Sequence, residues 1–143
     1  MKHTLALVLM VFGCFGCFGA FAYSENDLIK LKALNACEGC DLSEADFRDA
    51  DLFQADLKKV NLSKANLINA NVAQANLGGA NLAGADFTEA ILNGASLYRA
   101  RAEINAANFA GADLSGSKLS YAKLSNADFS KTNLSKADLS KAN

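Results

Sequence analysis

Residues 65–82 read Ala-Asn-Leu-Ile-Asn-Ala-Asn-Val-Ala-Gln-Ala-Asn-Leu-Gly-Gly-Ala-Asn-Leu, and a large apolar residue returns at every fifth place: Leu67, Val72, Leu77 and Leu82. Two places before each stands alanine, with asparagine between. A period of five suits neither a helix nor a flat strand, because either would carry the leucines from inside to outside along the chain. Followed outward, the period covers residues 40–143. Its centres are Leu42, Phe47, Leu52, Leu57, Leu62, Leu67, Val72, Leu77, Leu82, Phe87, Leu92 and Leu97, then, after one interval of seven, Ile104, Phe109, Leu114, Leu119, Leu124, Phe129, Leu134 and Leu139. These twenty short units can bury their apolar sides only against their neighbours, which is the sequence mark of a solenoid.

The pattern A-[DN]-L-x-x resembles the pentapeptide-repeat family over this whole stretch. The resemblance implies an all-β fold, a right-handed quadrilateral parallel β-helix (β-solenoid) with four units per turn and the centre and preceding small residue pointing inward. Stacking residues twenty apart sorts the centres into four columns and five turns. One column holds Phe47, Leu67, Phe87, Phe109 and Phe129, which takes in all four central phenylalanines; the others are aliphatic. Aromatic rings on one wall are expected to stack from turn to turn. Proline is absent from the chain, as a ladder needing every amide requires. The interval of seven places two extra residues within Tyr98 to Arg101, expected as a bulge at a corner.

Residues 1–22 read as a signal peptide: Lys2 and His3, an apolar run to about Phe18, and Ala20-Phe21-Ala22 as a small-x-small site with cleavage before Tyr23. Val11-Phe12-Gly13-Cys14 also resembles a lipobox, so a lipoprotein stays open, as does an uncleaved anchor. Residues 23–39 read as a capping helix and junction, because Ser24 and Asp27 fit a capping box and Leu28, Leu31 and Leu34 share a face. A helix there covers the first turn, whose open edge invites pairing with other chains. At the far end Leu124, Phe129, Leu134 and Leu139 are left for solvent or a second copy, and an end-to-end homodimer is expected, as the resemblance also implies.

The chemistry available is narrow. The only histidine, His3, leaves with the signal, and fifteen carboxylates recur at the solvated position of the repeat and not in a cleft, so no enzyme, cofactor or metal is expected. Cys37 and Cys40 frame Cys-Glu-Gly-Cys at the junction of helix and rod. In an exported chain they read as a structural disulfide tying the helix to the rod, with two free thiols, half of a zinc site shared with another chain, or redox exchange as alternatives. Similar beginnings in exported pentapeptide-repeat proteins are part of what the resemblance implies.

Without Lys2, thirteen basic and fifteen acidic side chains leave a net charge of −2. Sorted by column, the phenylalanine wall is acidic, with Asp46, Asp49, Asp86, Glu89 and Asp128, and the opposite wall is basic. A candidate interaction face therefore consists of Lys58, Lys59, Tyr98, Arg99, Arg101, Lys118 and Tyr121, suited to an unidentified protein or an anionic surface. Nucleic acid is not an expected partner, for there is no dense Lys/Arg run or aromatic platform. Membrane contact follows only from lipidation or an uncleaved signal. The expected function is a non-enzymatic, exported structural or protein-interaction module in the periplasm or outside the cell. The alternative is a DNA-mimicking inhibitor or protector of gyrase, like the quinolone-resistance proteins that this family resembles; near-neutral charge, a basic wall and an export signal depart from that pattern.

Overall fold

One pentapeptide accounts for the consensus through its hydrogen bonds. Around Leu62 all five amides find acceptors: Leu62 N–H donates to Asn81 O (2.9 Å), Ser63 N–H to Asn61 Oδ1 (3.2 Å), Lys64 N–H to Ala83 O (2.9 Å), Ala65 N–H to Leu62 O (3.0 Å) and Asn66 N–H to Ala45 O (2.9 Å). Three bonds tie turns together, one closes a corner, and one comes from the Asp/Asn side chain. Buried or stacked backbone needs such complete pairing. A proline at any of the five places would remove one of these donors.

The corner also selects its residues. Among the described residues the second residue after each centre has positive φ, as at Glu44 (61°), Lys64 (59°), Gln74 (58°) and Arg99 (57°). β-Branched side chains clash there, and no described residue at the position is β-branched; glycine, asparagine and unbranched side chains occupy it.

The computed structural model describes residues 23–102 and 106–143. The signal-peptide reading of residues 1–22 and the placing of Ile104 as a centre lie outside the described residues. Parallel bridges join residues twenty apart from Ala36↔Asp56 to Asn81↔Arg101, 22 apart from Asp86↔Asn108 to Arg101↔Lys123, and twenty apart again from Asn108↔Asp128 to Lys118↔Asp138. The result is a quadrilateral β-helix whose four walls are named here by a member: Leu42, phenylalanine, Leu52 and Leu57. Centres and preceding small residues from Cys37 to Leu124 form one buried core. On the phenylalanine wall Phe87 and Phe109 stack at 5.0 Å and 10°, and Phe109 and Phe129 at 5.1 Å and 4°.

The extra residues fall elsewhere than the spacing of leucines suggests. Leu82 N–H donates to Arg101 O, Ala102 N–H to Lys123 O, and Ala102 is fully buried between them. Ala102 is therefore the centre between Leu82 and Leu124. Tyr98 and Arg99 form an ordinary corner, Arg101 lies on a regular rung, and the two additional residues come after Ala102. A search for large centres passes over an alanine in that role.

Helix α1 spans Glu25–Leu34, with Ser24 Oγ accepting from Asp27 N–H at 3.3 Å. Leu28 and Leu31 join the core, whereas Leu34, expected on the same face, is 66% exposed. The helix start supplies partners that the lowest rung lacks: Asp27 Oδ2 accepts from Asp41 N–H (2.9 Å), and Ser24 N–H donates to Asp41 O (3.0 Å). At the other end Leu124 is buried, correcting its placement among exposed residues, Phe129 and Leu134 are half-buried, and Leu139 is exposed.

Candidate functional site

Asp or Asn before the centre is the working part of the repeat, a role that the sequence reading assigned only to solvation. Its Oδ1 accepts the amide two residues on, as in Ser43 to Asp41 (3.1 Å), Ala83 to Asn81 (3.2 Å) and Ser135 to Asn133 (3.1 Å). Asparagine amides also link turns: Asn61 Nδ2 donates to Asp41 Oδ1 (2.9 Å), Asn81 to Asn61 (3.0 Å), Asn71 to Asp51 (3.0 Å) and Asn133 to Asp113 (3.0 Å). The signal that could have found this is spacing: in most units Asp or Asn stands three residues before the left-handed corner position.

From Asp41 onward the position departs from Asp or Asn only at Ile91, Ser96, Arg101, Lys118 and Lys123. Four of these five are neighbours, since Ser96 bridges Lys118 and Arg101 bridges Lys123. Lys and Arg have no acceptor atom, so three of the four cannot close their turns. Beside them the corner of the Leu57 wall carries Tyr98, Arg99 and Tyr121. The Arg99 guanidinium lies 5.1 Å from the Tyr98 ring centre and 5.8 Å from that of Tyr121, and the two rings meet edge to face at 5.8 Å. Lys141 Nζ sits 4.8 Å from the Tyr121 ring centre and donates to its hydroxyl at 2.7 Å. A groove of about 460 Å³ opens here, lined by Gly79, Arg99, Arg101, Tyr121 and Lys123.

The candidate face drawn from the sequence thus divides. Tyr98, Arg99, Arg101 and Tyr121 come together. Lys58 and Lys59 sit lower on the same wall, facing Asp56 at 3.7 Å and Glu38 at 3.1 Å. Lys118 bridges to Asp138 on the next rung, and outside the groove lining. Lys123, Lys141 and Gly79 belong to the assembled site and were not among the candidates. Gly79 leaves room by lacking a side chain where the corners directly below and above it in its column carry Lys59, Arg99, Tyr121 and Lys141.

On the phenylalanine wall Arg48 Nε donates to Asp46 Oδ1 at 2.9 Å, and this bond first of all holds the Asp46 carboxyl below its ordinary pKa. The amides of Ser130 and Ser140 do the same for Asp128 and Asp138. These shifts come from turn geometry and an exposed ion pair, not from a cleft.

Cys37 occupies the centre of a unit, its N–H donating to Asp56 O, and Cys40 the small position of the next. Their sulfurs are 2.06 Å apart and their Cα atoms 5.4 Å. Both belong to the rod, so a bond between them lies within the first turn instead of tying the helix to it. The helix touches the pair through Asp27 O, 3.1 Å from Cys37 Sγ, and Lys30 Nζ, 3.8 Å from Cys40 Sγ. The Asp27 carboxylate and the two sulfurs form a trio of donor atoms within 4.8 Å of one another.

No curated protein sequence matches the chain. Two solved structures of trypsin-treated variants of QnrB1, a plasmid-mediated fluoroquinolone resistance protein, are similar: one at 27% identity and TM-score 0.66 over 75% of this chain and 51% of that one, the other at 29% and 0.64 over 72% and 49%. This chain therefore spans about half the length of those structures. A pentapeptide repeat protein from the Arabidopsis thaliana thylakoid lumen is 30% identical over 76% of this chain and 68% of that one, with TM-score 0.41. Pentapeptide repeats, in eight copies, match residues 36–67, 65–101 and 107–143, and the chain belongs to the pentapeptide-repeat family of right-handed quadrilateral β-helices.

Proposed function

We propose that this chain is a non-enzymatic protein-interaction module: an exported rod of five turns, closed at its first turn by α1, that meets its partner where Tyr98, Arg99 and Tyr121 come together. The observation that carries this reading is the concentration of broken repeat rules at one corner. Replacing Asp or Asn by Arg101, Lys118 and Lys123 forgoes turn-closing bonds of about 0.5–1.5 kcal/mol each. Folds give up local consistency of this kind at functional sites. Tyrosine and arginine are also the side chains that most often anchor protein interfaces. The described residues contain no histidine, and the assigned carboxylate shifts belong to turns, which supports a binding role over a catalytic one.

A second reading, protection of gyrase by DNA mimicry, draws support from the likeness to QnrB1. The basic groove argues against it, since a DNA mimic needs broad negative potential. A supercoiling assay with fluoroquinolone decides: the interaction-module reading expects no protection of gyrase, and dose-dependent protection would replace it. Cell fractionation with N-terminal sequencing tests export, with a mature chain beginning at Tyr23 as the expected result. Alkylation before and after reduction, followed by mass measurement, tests the Cys37–Cys40 bond, which we expect to form in an oxidising compartment.

A further inference from the structure

Helix α1 sets a carboxylate and an ammonium over the two cysteines of the first turn. Asp27 and Lys30 stand three residues apart and so share a face of the helix. Both reach the pair beneath it: the Asp27 carboxylate and the two sulfurs lie within 4.8 Å of one another, and Lys30 Nζ is 3.8 Å from Cys40 Sγ. The carboxylate is held in place, because Asp27 Oδ2 accepts from Asp41 N–H at 2.9 Å, and it has lone pairs to spare beyond that bond. Neither the repeat nor a disulfide calls for this arrangement. Most units have leucine or phenylalanine at the centre and alanine at the small place, and a sulfur–sulfur bond needs no carboxylate beside it.

What the group can do depends on the oxidation state of its sulfurs. Bonded to each other they carry no charge, and the thiolate is the form that ligates metals. A dithiol reductant delivers two electrons and two protons, breaks the bond and becomes a disulfide itself, which leaves Cys37 and Cys40 as thiols. Two such groups in Cys-Glu-Gly-Cys supply half of the usual thiolate set for zinc, and Asp27 adds an oxygen ligand from α1. Water fills the fourth tetrahedral place. Ligand atoms around such a metal lie about 3.5–3.8 Å apart, which is the scale of this trio. Charge also balances, since two thiolates and one carboxylate meet one divalent cation and the Lys30 ammonium, so a largely buried site ends neutral. Calcium and magnesium take oxygen ligands and do not suit buried sulfurs.

We infer that the reduced chain holds one thiophilic divalent cation of the zinc class at Asp27, Cys37 and Cys40. The two states of the site join different parts: the disulfide lies within the first turn, whereas the metal also engages α1 and fastens the capping helix to the rod. Binding releases the two thiol protons. This inference goes beyond the interaction-module reading and does not depend on it.

The test is titration of the purified chain with cobalt(II) and then zinc(II), after reduction by a dithiol and removal of the reductant without air. One cobalt per chain is expected, with the charge-transfer absorption of thiolate ligation, displaced by zinc; zinc should also raise the thermal midpoint of the reduced chain. The oxidised chain should show neither effect. Cys37→Leu and Cys40→Ala place at each position the residue that most units carry there, so both variants should fold, and each should lose the thiolate absorption. Asp27→Asn should weaken zinc binding about tenfold or more. Circular dichroism of the reduced, metal-free variants establishes that they fold, and should Asp27→Asn loosen α1, the cobalt spectrum and stoichiometry of the unaltered chain decide. Absence of the thiolate absorption, equal binding by the oxidised chain, affinity unchanged in a folded Asp27→Asn variant, or one metal per two chains would overturn the inference.

Discussion

Asp41, Asn61, Asn81, Arg101 and Lys123 occupy one column of the Leu42 wall, yet the two halves of that column behave in opposite ways. The lower three hold one another, Asn61 to Asp41 and Asn81 to Asn61, while each closes the turn that follows it. The upper two are joined by the backbone ladder, and their side chains offer no acceptor with which to close a turn. The backbone ladder runs unbroken through both halves, because Arg101 N–H donates to Ala80 O and Lys123 N–H to Ala100 O at 2.9 Å each. Backbone and core therefore carry the fold, and side-chain closure of the turns is a separable contribution that the corner can give up. That separation lets one rod hold a regular part and an adapted part.

The largest expected effect breaks what the two parts share. Phe109 packs between Phe87 and Phe129, and Phe109→Ala should cost about 3–5 kcal/mol, seen as a lower urea midpoint that no surface change approaches. Next comes the corner backbone. Lys64→Val should cost about 1–2 kcal/mol more than Lys64→Gly, because both lose the exposed contact with Glu44 but only valine is forced into positive φ. Ser117 is the reverse case: its hydroxyl is buried without a hydrogen-bond partner in a place that most units fill with alanine, so Ser117→Ala should stabilise by about 1 kcal/mol.

The column itself is sharpened by a matched pair. Asn61→Ala should lower stability by about 1 kcal/mol, whereas Lys123→Asn, which restores an acceptor for the turn, should raise it by somewhat less. Opposite shifts in the thermal midpoint, the larger from Asn61→Ala, would support the separation; a loss in both variants would contradict it. The smallest effect is the response to acid. Asp46, Asp128 and Asp138 have folded pKa values below the ordinary range, so their contribution is present above about pH 4 and is lost as pH falls through the folded values. Urea midpoints followed from about pH 7 to about pH 2 should decline only below about pH 4, with no step near neutrality.

Much of the rod was legible. The phenylalanine column was placed on one wall by counting in twenties, and the rings do stack there. The helix start at Ser24 was legible as well, because a capping hydroxyl acts over three residues. Other features were hidden for definite reasons. Ala102 looks like a small-position residue, and only the ladder partners Arg101 and Lys123 reveal it as a centre. Leu34 shares the helical spacing of Leu28 and Leu31, but the end of a helix seated on a rod reaches past the core. Cys37 looks like part of a junction until its amide is seen to donate to Asp56 O.

Sequence periodicity determined that the chain winds, because a period of five fits no simpler element; four units per turn, with centres and small residues inward, came with the family resemblance, and the phenylalanine column agreed with it. Tertiary structure decided where the extra residues sit and which outward side chains meet. Outward contacts run between turns, as with Arg99, Tyr121 and Lys141, and depend on how residues twenty or more apart are stacked. A shift of two residues in that stack reassigns every such neighbour while leaving the inward pattern almost unchanged.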